Sequence, residues 1–297
     1  EDLLGGMFHG PTPGACHGPP RAVREGIFAR GAHGIDGRAM ASASPPVLDR
    51  WFPSRKPLPE PRLRLFCLPF AGGSAAIYQP WSMALPTGVE LCAVQLPGRE
   101  RRLMEPAMKS LPALMDVLMP ALTPLMDRPF ALFGYSMGAR IGLEVARTLK
   151  RQGGPKPLGF IAAAAPPPSH NDREPIHTLD DPGFIAKLRE YDGTPEEVLQ
   201  HKELLELILP TLRADFALAW SENGKDTAPL DIPLSVYAGK GDKHVGLDTM
   251  EHWREESTAD VRIRHFEGGH FFICTHGPPV LAAVREDLTR WMTAAQG

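Results

Sequence analysis

The chain has 297 residues, 43% of them hydrophobic and 23% charged, with a formal net charge of −3 and a pI near 6.4. That balance fits a globular protein with one main core and offers no basic face to nucleic acid. No apolar run approaches the ~20 residues that cross a bilayer, so neither nucleic acid nor a membrane is expected as a partner.

The N-terminus has no basic segment followed by an apolar stretch of signal-peptide type, and a cytoplasmic location is expected. Cys16, Cys67, Cys92 and Cys274 are widely scattered. Cys67 and Cys92 lie inside apolar runs and read as buried thiols, so neither a disulfide nor a metal site is expected.

The first 60 residues hold nine Gly and nine Pro without sustained periodicity. Such a composition predicts a disordered leader over residues 1–50, with Met40, which opens "MASASPPVLDRWFPS", as a candidate natural start. His9, Cys16, His17 and His33 in this stretch have no structural zinc spacing. The main domain is expected over 51–297.

From residue 61 on, short apolar runs alternate with helical stretches: 63–70, 89–97, 130–136, 158–165, 232–239 and 261–268. This alternation predicts an α/β fold with a mostly parallel central sheet and helices on both faces. Between the fourth and fifth runs lie about 65 residues, charged and helical in pattern, where α/β connections usually take ~2–6. They predict a helical lid over about 170–228. Within it Leu212, Phe216 and Trp220 form an i, i+4, i+8 stripe, suited either to lining an acyl cavity or to packing the lid on the body.

The third run leads into Gly134-Tyr135-Ser136-Met137-Gly138 and resumes with Ile141, Val145 and Leu149 at helical spacing. A serine flanked two residues away on each side by glycine suits a strand-to-helix turn that projects its hydroxyl above the sheet, which makes Ser136 the candidate nucleophile. A serine hydroxyl needs an imidazole to take its proton, and the imidazole needs a carboxylate to hold its tautomer. In chain order the acid and then the histidine follow the serine. Asp242, after the fifth run and between Gly239 and Gly241, is the candidate acid, with Asp248 as the weaker substitute. His270, after Gly268-Gly269 and the sixth run, is the candidate base. Met137 and Ala71 are the candidate oxyanion donors through their backbone N–H groups, Ala71 within "CLPFAGGSAA" after the first run.

Taken together, "PFAGGSA", "LPGRERR", "FGYSMGARIGLEVAR", "GTPEEVL", "LPTLRADF" and "EGGHFF" resemble the type II thioesterases, free-standing α/β-hydrolases that accompany polyketide synthases and nonribosomal peptide synthetases. The resemblance covers roughly residues 50–295. It implies an α/β-hydrolase fold and hydrolysis of acyl or aminoacyl thioesters on the phosphopantetheine arm of an acyl or peptidyl carrier protein, without a cofactor of the enzyme's own. Phe70 stands where many relatives have His.

Three other readings remain: a terminal thioesterase domain of a megasynthase, a general carboxylesterase, and a catalytically silent binding protein on the same fold. In terminal domains the acid follows the strand after the nucleophile. Here that place reads "AAAAPPPSH", and the first carboxylate is Asp172. Arg99, Arg101 and Arg102, clustered after the second run, are candidate contacts to an acidic carrier protein, with a solvated loop as the alternative.

Overall fold

The computed structural model describes residues 46–171, 174–191, 193–221 and 228–296. Six strands, β1 (Leu63–Leu68), β2 (Val89–Ala93), β3 (Phe130–Tyr135), β4 (Phe160–Ala163), β5 (Leu234–Gly239) and β6 (Val261–Phe266), form one sheet in the order β2-β1-β3-β4-β5-β6. Every neighbouring pair is parallel. All six fall within the apolar runs read from the sequence.

The runs are continuous rather than alternating because both faces of the sheet are covered. Side chains leave a strand on alternate sides, and the two sets enter two different cores. Phe66, Cys92, Leu132 and Val236 pack in one, with α1 (Pro46–Trp51), α2 (Leu111–Leu122) and α3 (Met137–Gln152). Leu65, Leu91, Phe133 and Tyr237 pack in the other, against Tyr78 and Trp81 of the 3-10 segment Ala75–Met83.

The lid comprises α4 (Asp181–Tyr191), α5 (Glu196–Gln200) and α6 (Lys202–Trp220). It carries a small core of its own, with Phe184, Leu188, Val198, Ile208 and Leu212. After β5 comes α7 (Leu247–Glu251), and after β6 come α8 (Phe272–Thr275) and α9 (Gly277–Ala294). Helix α9 covers the second face with Val280, Val284, Leu288 and Trp291.

Two expectations from the sequence meet the structure differently. The leader assigned to 1–50 does not extend that far: residues 46–51 form α1, and Leu48, 7% exposed, and Trp51 join the first core. Proline is well tolerated at the first position of a helix, and the six-residue helix is hidden by its Pro-rich surroundings. The remainder of that segment, with His9, Cys16, His17, His33 and Met40, lies outside the described residues. Cys67 and Cys92 are buried free thiols, and burial pushes both well above the ordinary thiol range.

Candidate active site

In a parallel sheet the loops that follow the strands emerge at one edge, so side chains far apart in sequence meet there. Ser136 follows β3, Asp242 follows β5 and His270 follows β6. Ser136 has φ 52° and ψ −113°, a left-handed conformation that costs energy in a non-glycine residue. Its two flanking glycines make the turn sterically feasible. A Cβ on Gly134 would lie 2.2 Å from the carbonyl oxygen of Gly138, and one on Gly138 would lie 2.1 Å from that of Leu68. Backbone hydrogen bonds from Ser136 N–H to Ala163 O (2.7 Å) and from Ala139 N–H to Ser136 O (3.0 Å) hold the strained residue.

His270 bridges the other two side chains. Its Nε2 lies 3.0 Å from Ser136 Oγ and its Nδ1 lies 2.8 Å from Asp242 Oδ2. The Asp242 carboxylate is only 1% exposed as a side chain. Its other oxygen accepts the N–H groups of His244 (2.8 Å) and Val245 (3.1 Å). Burial pushes the Asp242 carboxyl up, but the hydrogen bond and charge of His270, joined by those two N–H groups, outweigh it, and the carboxyl lies below its usual value. Asp248, the alternative acid, is exposed on α7. Among the described residues, the loop after β4, where a terminal thioesterase domain would place its acid, supplies no group to this pair, and Asp172 lies outside them.

A largely apolar cavity of about 740 Å³, its open mouth included, runs from Ser136 and His270 beneath the lid. Met137 and Ala71 both line it. Met137 opens α3, so its N–H has no carbonyl within the helix to reach. Phe70 contributes apolar surface and stacks edge-on to Tyr135 and Phe271, with ring centroids 6.0 Å and 5.1 Å away. The stripe Leu212, Phe216 and Trp220 lines the cavity, and Leu212 and Phe216 also belong to the lid core. The stripe therefore lines the cavity and packs the lid's own core, whereas the residues of α6 that reach the body's first core are Leu218 and Ala219. Phe216 meets Phe184 and Tyr191 edge-on at 5.6 Å and 5.4 Å.

The three arginines after β2 do not form one surface patch, which corrects their joint assignment to carrier contact. Arg99 is 2% exposed and makes a two-pronged ion pair with Asp215 of α6 at 2.8 Å and 2.7 Å. Arg102 is 7% exposed, grips Glu105 at 3.0 Å and 2.8 Å, and lies 4.1 Å above the ring of Trp51. Arg101, between them, is exposed. Arg102 finds its acid three residues on in the same turn, whereas Arg99 finds its own 116 residues away on α6, a pairing that a charge count along the sequence does not show.

Three further contributors escaped the sequence reading. Tyr135 looked like one more apolar strand residue, yet its phenol reaches the main chain of His270. Tyr191, at the end of α4, stands over His270 with ring centroids 6.0 Å apart and stacks on His244 at 3.9 Å. Asp215 belongs to "LPTLRADF", a motif that carried the resemblance but had no role attached. Elsewhere, His170, His252 and Glu255 bring their ligand atoms within 4.8 Å of one another. The two imidazoles are stacked 3.5 Å apart and nearly parallel, however. Their in-plane lone pairs do not converge on one ion.

A family model described as thioesterase domain matches residues 63–289. The gramicidin S biosynthesis protein GrsT of Aneurinibacillus migulanus is 36% identical over 227 residues, covering 76% of this chain and 89% of that protein. Thioesterase PikA5 of Streptomyces venezuelae is 36% identical over 224 residues, 75% of this chain and 80% of that protein. Among solved structures, RedJ, a thioesterase from the prodiginine biosynthetic pathway in Streptomyces coelicolor, superposes with a TM-score of 0.70 at 30% identity, covering 80% of this chain and 98% of that one.

Proposed function

The chain belongs to the thioesterase domain family and is a hydrolase of thioesters, and from that premise we propose that it is a cytoplasmic type II thioesterase that clears aberrant or stalled acyl and aminoacyl groups from the phosphopantetheine arms of polyketide or nonribosomal peptide carrier proteins. The observation that carries the chemistry is His270 standing within hydrogen-bonding distance of both Ser136 Oγ and Asp242.

Ser136 Oγ attacks the thioester carbonyl as His270 Nε2 takes its proton, while Asp242 holds the imidazole in the tautomer that leaves Nε2 free to accept. The oxyanion is met by the N–H groups of Met137 and Ala71. Collapse of the tetrahedral intermediate breaks the C–S bond, and His270 returns its proton to the departing pantetheine sulfur. Water, deprotonated by the same imidazole, then attacks the acyl-serine ester, and the imidazolium returns that proton to the departing Ser136 Oγ, so the cycle closes without a cofactor. The cavity under the lid takes the acyl chain, with Phe216 among its walls. The free-standing editing role draws support from the pathway relatives and from an acid placed after β5 rather than after β4.

The test compares kcat/KM on an acyl-carrier protein, an acyl-coenzyme A and a simple ester, with Ser136→Ala as the control. The expected order is carrier first and ester last, with no turnover above background in the folded variant. Preference for the simple ester would make the protein a carboxylesterase instead, and full activity in Ser136→Ala would remove the nucleophile.

A further inference from the structure

Asp215 and Arg99 lie 116 residues apart in sequence and are almost wholly buried, at 1% and 2% exposure. Their contacts converge on one short stretch of backbone. Asp215 Oδ2 accepts the N–H of Gly72 at 2.7 Å, and Arg99 Nη1 donates to the carbonyl of Gly73 at 3.2 Å. Arg99 is itself fixed by its Nε, which donates to Pro97 O at 3.2 Å. The loop that contains Ala71 is thus gripped on an N–H by an acid from the lid helix α6 and on a carbonyl by a base from the loop after β2.

We propose that the Arg99–Asp215 pair positions the oxyanion loop, fixing the direction of the Ala71 N–H and tying it to the lid helix that shapes the acyl cavity. The proposal rests on the reading of Ala71 as an oxyanion donor. A buried ion pair contributes little net stability, because desolvation consumes most of the attraction, and apolar residues of similar size often serve as well. What such a pair does supply is fixed geometry, since the carboxylate and guanidinium planes must match at both prongs. Here that geometry passes to the Gly72 peptide, whose other end is the Ala71 carbonyl, and to Gly73, whose own N–H donates at 2.9 Å to Phe70 O, the carbonyl of the peptide that carries the Ala71 N–H. Asp215 also lies between Leu212 and Phe216, which line the cavity. A shift of α6 therefore pulls on the Gly72 N–H.

The experiment uses the full chain with both partners exchanged for apolar residues, Arg99→Met with Asp215→Leu, which avoids stranding one buried charge. Hydrolysis of an acyl-N-acetylcysteamine thioester is measured alongside binding of two inhibitors with the same chain. One is a trifluoromethyl ketone, to which Ser136 Oγ adds while its proton passes to His270, leaving an oxyanion. The other is an uncleavable thioether that forms none. The expected result is a kcat lower by ~10²-fold, as when an oxyanion donor is lost, with KM within about twofold. Ketone affinity falls by a similar factor, and thioether affinity is retained.

Equal weakening of ketone and thioether, or an unchanged kcat, would show that the pair only anchors the lid and would overturn the proposal. If the double variant does not fold, Arg99→Lys carries the same comparison, because it keeps the charge but not the two-pronged contact. Failure of the functional reading is separate, since it appears in the wild-type protein as absence of thioester hydrolysis.

Discussion

The phenol of Tyr135, the residue just before Ser136, donates a 2.7 Å hydrogen bond to the main-chain carbonyl of His270 and accepts the N–H of Ile273 at 3.3 Å. The end of β3 therefore positions the loop after β6 directly, so the serine and the histidine share a support beyond their own contact. Burial pushes the Tyr135 hydroxyl well above the ordinary phenol range, so it remains a donor at any working pH.

Tyr135→Phe removes that oxygen and leaves a buried carbonyl and a buried N–H without their partner. A buried polar group left unsatisfied costs ~1–3 kcal/mol, and in a domain of this size each kcal/mol lowers Tm by about 2–4 °C. We expect a lower Tm together with a kcat reduced about tenfold and a nearly unchanged KM, because the imidazole is mispositioned while the acyl cavity remains. Loss of Tm with full kcat would confine the phenol to a structural role.

Asp242→Asn keeps the side-chain shape but changes which imidazole nitrogen carries the proton. The comparable change in the serine protease triad costs ~10⁴-fold in kcat; here a loss of at least ~10³-fold is expected, with Asp248→Asn near wild type. The pH dependence follows from the direction of the shift. The folded carboxyl lies below the value of ~3.9 for an unfolded chain. Its contribution to stability is thus complete above that value and is lost as pH falls through the lower, folded one. Tm measured from pH 5 down to 2 should therefore fall less steeply in Asp242→Asn than in wild type. Parallel curves would contradict the pairing.

The cavity predicts chain-length selectivity. Ala219 lines it and packs partly against the first core. Ala219→Phe places a ring in the acyl path without removing any lid contact. A pocket discriminates at least ~10-fold for one methylene of mismatch. The expected outcome is a loss of tenfold or more in kcat/KM on a decanoyl thioester and little change on an acetyl thioester. An equal loss on both would locate the acyl chain elsewhere.

What the sequence made legible was whatever repeats or is local. The six strands announce themselves because a sheet covered on both faces needs continuous apolar runs. Ser136 is visible because the turn that exposes it demands glycines at fixed offsets, and Asp242 and His270 are visible because a parallel sheet delivers its loops to one edge. The Arg99–Asp215 grip on Gly72 and the Tyr135 bond to His270 were not legible, since each joins residues more than 100 positions apart by side-chain geometry. The short α1 was hidden for the opposite reason: six residues are too few to show a period.

The arginines after β2 give the last prediction, because the structure divides what the sequence treated as a group. Arg102 lies over Trp51, donates to the carbonyl of Gln95 at 2.7 Å and grips Glu105. The hydrogen bond from Arg102, opposed in part by burial and reinforced by Arg50, lowers the Glu105 carboxyl from 4.5 to about 2. Its stabilising effect is therefore complete above the ordinary carboxylate value and is lost as pH falls toward about 2. Arg102→Glu sets two acids against each other and should lower Tm and depress activity on every substrate.

Arg101 is exposed on the same turn, at the edge of the sheet that carries Ser136. Under the proposed function its charge would meet an acidic carrier protein, and such attraction acts on encounter and is screened by salt. Arg101→Glu should leave Tm and kcat/KM on a small ester unchanged while lowering kcat/KM on an acyl-carrier protein several-fold at low salt, the difference fading as salt rises. An equal loss on both substrates would assign Arg101 to the structure of the turn, and no loss on either would leave it a solvated surface charge.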